Sequence, residues 1–543
     1  MYWTVSVREK YVQRNGISGA PAGPVRSPSP SSPMRTLSRC TLVLALAWSA
    51  PAAAQLHYTV DLTSPATHTA AVTLRVDSLA ARDTVFQFAA TAPGTYQTMN
   101  IGRYVMDLRA TDARGRTVPV SRLSVNRWRI GDPRRVRQVS WHVQDTWNTP
   151  VAEFPVYPMA GSEIARDHAL LNAHALLGFP PSMQGARVTV RLRHPPGWTV
   201  ETALREGSEG YEAESYDQLV DSPFLLGAGL TTATLTVTGV PVRIATYTPS
   251  GEITATRLAG AMQGMLEAAG RFIGRLPVDR YVFLYHFGPP LPTMGAWEHG
   301  TSSEYVIPDG PFTPRAAAAI TSTAAHEFFH VVTPLNIHSE IIEHFIFETP
   351  TPSLHLWLYE GVTEWASDKM QQEAGLETLD AYLGEVARKV RNDRARYDTT
   401  YSLTRIAETS FTPAGARQFG NVYERGALVA GLLDIRLLQL SGGARGLRGL
   451  IRDLARDYGM RRPFPEDSLF TIIAARTSPE VLDFFARYVQ GTERPPVKES
   501  YALLGIDLVE DAQGIRLVVN PNPTDEQRRL REAWLRSGTA SSP

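Results

Sequence analysis

Cysteine is almost missing, for Cys40 is the single one among 543 residues. It lies in an N-terminal stretch that reads as a removable export signal, so the mature chain is expected to hold none. That excludes disulfides, thiolate ligands and a cysteine nucleophile, and it leaves histidines and carboxylates as the material for any metal site. A surplus of one charge is missing too, since Lys plus Arg and Asp plus Glu both number 54. No global field therefore pulls the chain onto nucleic acid or an anionic membrane. Long apolar runs are also lacking. The run from Leu42 to Ala50 is too short for a spanning helix of about 20 residues. No repeat with a period of about 20–50 residues recurs, which argues against a solenoid or a propeller.

What is present is ordinary globular material, 43% hydrophobic and 20% charged, with length for about three domains of roughly 150 residues each. Residues 1–33 are rich in Ser, Pro, Gly and Arg and show no hydrophobic period. Met34, Arg35 and Arg39 then lead into the run Leu42 to Ala50, and Ala52, Ala53 and Ala54 precede Gln55. This is the order of a secretory signal cleaved after Ala54. Residues 1–54 are thus expected to be an extension plus signal peptide, with Met34 the favoured start of translation and Met1 the alternative. The protein is expected to be exported, periplasmic or secreted, with no stable membrane insertion. Ser38 and Arg39 ahead of Cys40 do not make a lipobox, so lipid attachment is not expected.

Between residues 55 and 243, short alternating runs such as His57 to Leu62, Ala71 to Val76, Val188 to Leu192 and Ala233 to Val237 are separated by turn signals. Those signals include Pro93-Gly94, Arg114-Gly115 and Pro195-Pro196-Gly197, and the pattern predicts an antiparallel β-sandwich. From 244 to 495 the period becomes helical: Thr256 to Gly274, a strand Tyr281 to Phe287, then Pro314 to Thr333, Leu354 to Ala374, Leu376 to Tyr397 and Val422 to Leu440. Residues 496–543 form a C-terminal segment with a charged helix, Glu526 to Arg536, expected to pack or be solvated, and a Ser-rich tail. The fold class is multidomain α+β, a β domain followed by a mainly helical one.

One string in the helical part carries chemistry. Thr313 suits an N-cap and Pro314 the first helical position, and the Ala-rich run that follows leads into His326-Glu327-Phe328-Phe329-His330. Pro334 limits the helix on the far side. Residues four apart share a helix face, so His326 and His330 can point at one Zn²⁺ while Glu327 takes a proton from the metal-bound water. A third protein ligand is then needed. Glu360 lies in Trp357-Leu358-Tyr359-Glu360-Gly361-Val362-Thr363-Glu364-Trp365, among apolar residues that make an unpaired carboxylate costly. Zinc would remove that cost; a salt bridge is the other reading. Glu364, one turn on, can accept a hydrogen bond from the outer nitrogen of a ligand histidine or be plainly solvated. His338, His344 and His355 are rivals by composition, but their spacing matches no helical metal pair, and they read as structural.

The pair HEFFH and LWLYEGVTEW resembles the gluzincin metallopeptidases, specifically the glycyl aminopeptidase family (metallopeptidase family 61). PGTY within Ala92 to Ile130, LRATDARGRTVPV, NRWRI, PPGW at Pro195 to Trp198 and YDQLVDSPF at Tyr216 to Phe224 are similar to that family's N-terminal domain. The likeness runs from about residue 56 to about residue 500. It implies a thermolysin-like catalytic domain, one Zn²⁺ per chain held by His326, His330 and Glu360, and Glu327 as general base. It adds two roles. Glu298, in Gly295-Ala296-Trp297-Glu298-His299, stands where a Gly-Gly-Leu-Glu-His segment binds the substrate's free α-amino group, a pairing that selects chain ends. Tyr423, in Val422-Tyr423-Glu424-Arg425-Gly426, is similar to a Tyr whose hydroxyl stabilises the oxyanion. The implied activity is an aminopeptidase releasing small N-terminal residues such as Gly or Ala, its partner a peptide with a free N-terminus. Val331 to Asn336 and Trp297 depart from the family pattern and bear on specificity more than chemistry. Tyr501 to Leu508 resembles the opening of a PDZ domain, with too few residues after it for a complete one. A zinc endopeptidase of the same fold and a non-catalytic cell-envelope binding protein are the competing expectations.

Overall fold

The computed structural model describes residues 55–536, Pro292 aside. The expected signal segment and the extreme tail lie outside the described residues. Among those described, no helix is long and apolar enough to cross a membrane.

The first body is built on alternation. Gln55–Asp61 buries every second residue, and Leu56, Tyr58 and Val60 stand opposite Val76, Leu74 and Val72 of Thr69–Val76. Register is therefore set by which face is apolar. These two strands are the centre of an eight-stranded sheet whose other members include Gln138–Gln144, Val105–Thr111, Arg187–Arg193 and Gly210–Ala213. A three-stranded sheet of Val85–Gln87, Arg127–Ile130 and Val120–Arg122 packs on it. The seam is aromatic: Trp141 meets Phe86 and Phe88 at 5.5 and 5.4 Å, and Phe88 meets Trp128 at 5.3 Å. The mainly antiparallel order expected from sequence has one exception, because Gln55–Asp61 and Arg187–Arg193 run parallel. A further sheet, ordered Thr199–Thr202, Phe224–Gly227, His168–Leu171 and Glu163–Ile164, forms the face turned toward the second body.

That second body begins earlier than the 243/244 boundary read from sequence. Thr231–Val237 and Val240–Tyr247 form a hairpin, and Val240–Tyr247 pairs in parallel with Tyr281–Gly288. The boundary cuts this hairpin because its strands alternate just as those of the first body do. Ser302–Pro308 and the edge strand Gly295–His299 complete a five-stranded sheet. Tyr281–Gly288 is buried along its whole length, as a central parallel strand covered on both faces must be. Phe283, Tyr285 and Phe287 belong to the core under the helices, whereas Val282 and Leu284 join Leu170, Ala203 and Leu225 in a small core between the two bodies.

The helices follow their caps. Thr254 accepts from the Arg257 amide to start Ala255–Ile273, which stops at Gly274 with φ +90°. Thr313 caps Pro314–Phe329 through the Ala316 amide, and Thr378 starts Leu379–Arg396 through Ala381. The C-terminal segment is part of this core. Its hairpin, Ile506–Asp511 with Gly514–Val519, buries Ile506, Ile515 and Leu517, and its last helix, Asp525–Leu535, buries Trp534. Lys369 Nζ donates to the Trp534 carbonyl at 2.8 Å and lies 4.2 Å over the indole.

Candidate active site

Four stretches of backbone deliver the expected residues to one place. The α-helix Pro314–Phe329 ends with His330 as its C-cap, still in helical φ/ψ, so His326 and His330 keep the shared face. The stretch expected as one helix from Leu354 divides into a π-helical turn, Trp357–Val362, and an α-helix, Thr363–Glu373. Glu360 sits in the π turn, a local widening common at functional sites. The third stretch is Asn421–Leu440, which carries Tyr423 in its first turn. It comes close because Gly361 meets Gly426 backbone to backbone; a Cβ on Gly361 would lie 2.7 Å from Gly426 Cα. The fourth is the edge strand Gly295–His299, with Glu298 buried on it.

The donor atoms converge. His326 Nε2 lies 3.4 Å and His330 Nε2 3.6 Å from Glu360 Oε2. The outer nitrogens are spoken for: His330 Nδ1 donates to the Thr333 carbonyl and His326 Nδ1 to Glu364 Oε2, each at 2.9 Å. That fixes both rings with Nε2 facing Glu360. Glu364 is in turn bound by the buried Lys389 ammonium. An N₂O set whose atoms stand close to the roughly 3.3 Å edge of a tetrahedron with ~2.05 Å bonds suits zinc. The residues fit a metal ion.

The electrostatics separate the carboxylates. Burial alone would raise Glu364, but His326 and Lys389 hold its carboxyl below the ordinary range. Burial pushes Glu327 up to about 7; His326 opposes this while Glu360 and Glu364 add to it. Its Oε2 is buried with no hydrogen-bond partner, free for a reacting group. Glu298 is pushed well above the carboxylate range, first by burial and then by Glu360 and Glu327. Carboxylate or ring atoms of Glu298, Glu327 and His330 lie within 4.8 Å of one another. Burial holds the His330 imidazole at about 4, whereas His326, despite its burial, is pulled well above its ordinary range by Glu360 and Glu364.

These groups line a cleft of about 320 Å³ together with Tyr423, Phe419 and Trp297. Its roof comes from the first body, where Gly94, with φ +74°, packs so close to Trp297 and Glu298 that a Cβ would meet Glu298 Oε1 at 2.7 Å. A larger cleft of about 860 Å³, between Phe272, Arg448 and Arg452, has no histidine or glutamate in its lining. Two of the rival histidines are occupied elsewhere, His338 with Glu343 and His355 with the Glu466 carbonyl, and His344 is exposed.

Sequence reasoning missed Tyr96 as a member of this site. It lines the cleft, lies with its ring centroid 5.0 Å from that of Phe419, and holds a left-handed φ of +46°. A bulky residue so strained is a signal of function only once its dihedral is known. Lys389 was also missed, because a lysine inside an amphipathic helix reads as surface.

A model of the M61 peptidase N-terminal domain matches residues 57–228, and one of the M61 glycyl aminopeptidase matches residues 319–429. The crystal structure of an aminopeptidase N family protein from Idiomarina loihiensis superposes with a TM-score of 0.73 at 19% identity. The alignment covers 87% of this chain and 82% of that one, and at this identity it speaks for the fold. No functionally curated protein matches the chain. Two family models in the right order, over a fold shared with an aminopeptidase-like structure, place the chain in the M61 glycyl aminopeptidase family of peptidases.

Proposed function

We propose that the protein is an exported, zinc-dependent aminopeptidase that releases small N-terminal residues. The observation that carries this reading is Glu298, a buried carboxylate facing Glu327 and Glu360 in a cleft of about 320 Å³. A carboxylate so placed gains most from an ammonium, and a free N-terminus supplies one. His326, His330 and Glu360 would hold the ion. Bound there, zinc supplies an activated water and polarises the scissile carbonyl.

The chain's own residues do the rest. Glu298 holds the substrate ammonium and so sets the first peptide bond at the metal-facing end of the cleft. Glu327 takes the proton from the attacking water and passes it to the leaving amine, its Oε2 being buried without a hydrogen-bond partner of its own. Tyr423, whose ring centroid is 5.6 Å from that of His326, donates its hydroxyl hydrogen to the developing oxyanion. Trp297 and the roof at Gly94 narrow the cleft, which favours Gly or Ala as first residue. Export is supported by the signal-like order of Met34 to Ala54.

A pair of peptides tests the reading. The peptide with a free N-terminus should be cut and its N-acetylated twin should not. Glu298→Gln should lower kcat/KM for the free peptide by about 10- to 100-fold, the scale of a lost charge-assisted pairing. Equal cleavage of both peptides would make the protein an endopeptidase. No cleavage by zinc-loaded protein would leave a binding role.

A further inference from the structure

Away from the cleft, Glu163, His168 and His286 bring together a second set of two imidazoles and a carboxylate. Glu163 Oε2 is 3.0 Å from His168 Nε2 and 3.0 Å from His286 Nε2, and the two nitrogens are 2.9 Å apart. An imidazole nitrogen has one in-plane direction, filled by one hydrogen or one lone pair. Protons can therefore satisfy at most two edges of this triangle, and the third leaves two ring nitrogens facing each other. A cation seated over the triangle satisfies all three at once.

The surroundings are built for a ligand histidine. His168 Nδ1 donates to Asp167 Oδ1 at 2.9 Å, which directs the Nε2 lone pair into the triangle. Asp167 Oδ2 accepts from the Tyr247 hydroxyl at 3.0 Å, and the Tyr247 ring stacks on His168 at 3.7 Å. Trp147 closes the other side edge-on to His286 at 5.1 Å. His286 and His168 are 2% and 8% exposed, whereas Glu163 at 18% leaves a way in for an ion. Imidazole with one carboxylate suits zinc or a neighbouring transition metal and not calcium or magnesium.

We infer that Glu163, His168 and His286 form a second divalent transition-metal site that ties the two bodies together. Glu163 and His168 belong to strands of the four-stranded sheet, and His286 to the central strand of the five-stranded one. The cluster closes the edge of the small core shared by those sheets. It does not depend on the aminopeptidase reading.

The test is metal stoichiometry on the full chain, stripped with a chelator, reloaded with Zn²⁺ or Co²⁺ and passed through gel filtration. Wild type should retain two equivalents. His326→Gln with His330→Gln should retain one, and zinc should still raise its Tm. His168→Gln with His286→Gln should also retain one, and the fourfold variant none. A wild type whose single equivalent survives His168→Gln with His286→Gln, a His326/His330 variant with none, or a fourfold variant that still retains one would each overturn the site. Should the His168/His286 variant fail to fold, the His326/His330 protein decides alone. A metal-free first site would show as one equivalent lost with His168/His286 and none lost with His326/His330, a different pattern.

Discussion

The His326–His330–Glu360 and Glu163–His168–His286 clusters offer nearly the same donors at nearly the same spacing, yet their surroundings differ. The first opens on a cleft and has Glu327, Glu298 and Tyr423 beside it. The second is walled by Tyr247 and Trp147 and has no further acid or base aimed into it among the contacts described. A donor set fixes what can be bound; the neighbours fix whether anything is done with it. The difference also lies in the scaffold, since the first cluster is held by helix termini and a π turn that leave space, the second by sheets that close it.

The comparison breaks most sharply at Glu327. Glu327→Gln keeps the shape of the cleft and the three donors but removes the base, so kcat should fall by about 10²- to 10⁴-fold. Metal content should stay at the wild-type value. Glu163→Gln should do the opposite, with one metal equivalent lost and turnover kept within a few-fold. An active Glu327→Gln enzyme would show that the first cluster needs no neighbour, and the contrast would fail.

One segment joins the two clusters. Met159 and Ala160 line the cleft, and Glu163 follows three residues on. His174 pins this segment, its Nε2–H donating to the Ala160 carbonyl at 2.8 Å. Burial, with His299 adding, lowers its pKa to about 4 from 6.5. The unfolded chain therefore binds the extra proton between those values and the folded one does not. His174 contributes stability that is fully present above pH 6.5 and lost as pH falls toward 4, by roughly 3 kcal/mol at most. In urea unfolding from pH 7 to pH 4.5, His174→Gln should lose less stability than wild type, since its amide can still donate to Ala160. Parallel curves would remove His174 from the account.

The elements of both bodies were legible wherever one period dominates, as in Gln55–Asp61 or Ala255–Ile273. HEFFH was legible because i, i+4 spacing on a capped helix is a local fact. Glu360 could be argued from its apolar neighbours, but the π turn that presents it could not, because it depends on Gly361 meeting Gly426, 65 residues on. Tyr96 and the second cluster were hidden for the same reason. Glu163, His168 and His286 lie on two sheets whose strands meet only after folding, and no spacing announces them. The hairpin Thr231–Tyr247 was cut at residue 243 because alternation tells a strand but not its sheet.

The smallest predicted effect compares the carboxylates standing behind each cluster. Glu364 and Asp167 both accept from a histidine Nδ1 at 2.9 Å, so each orients one imidazole of its cluster. Glu364 is also held by buried Lys389 and its side chain is 22% exposed, whereas that of Asp167 is 64% exposed. Water screens the exposed pair and can replace its hydrogen bond. Glu364→Gln should therefore weaken metal binding at the first cluster by about 10- to 100-fold, the usual cost of losing such a partner. Asp167→Asn should weaken the second by less than about tenfold. Competition titration with a chromophoric chelator on the two single variants reads both numbers, and a larger loss for Asp167→Asn would mean that burial is not what separates the two clusters.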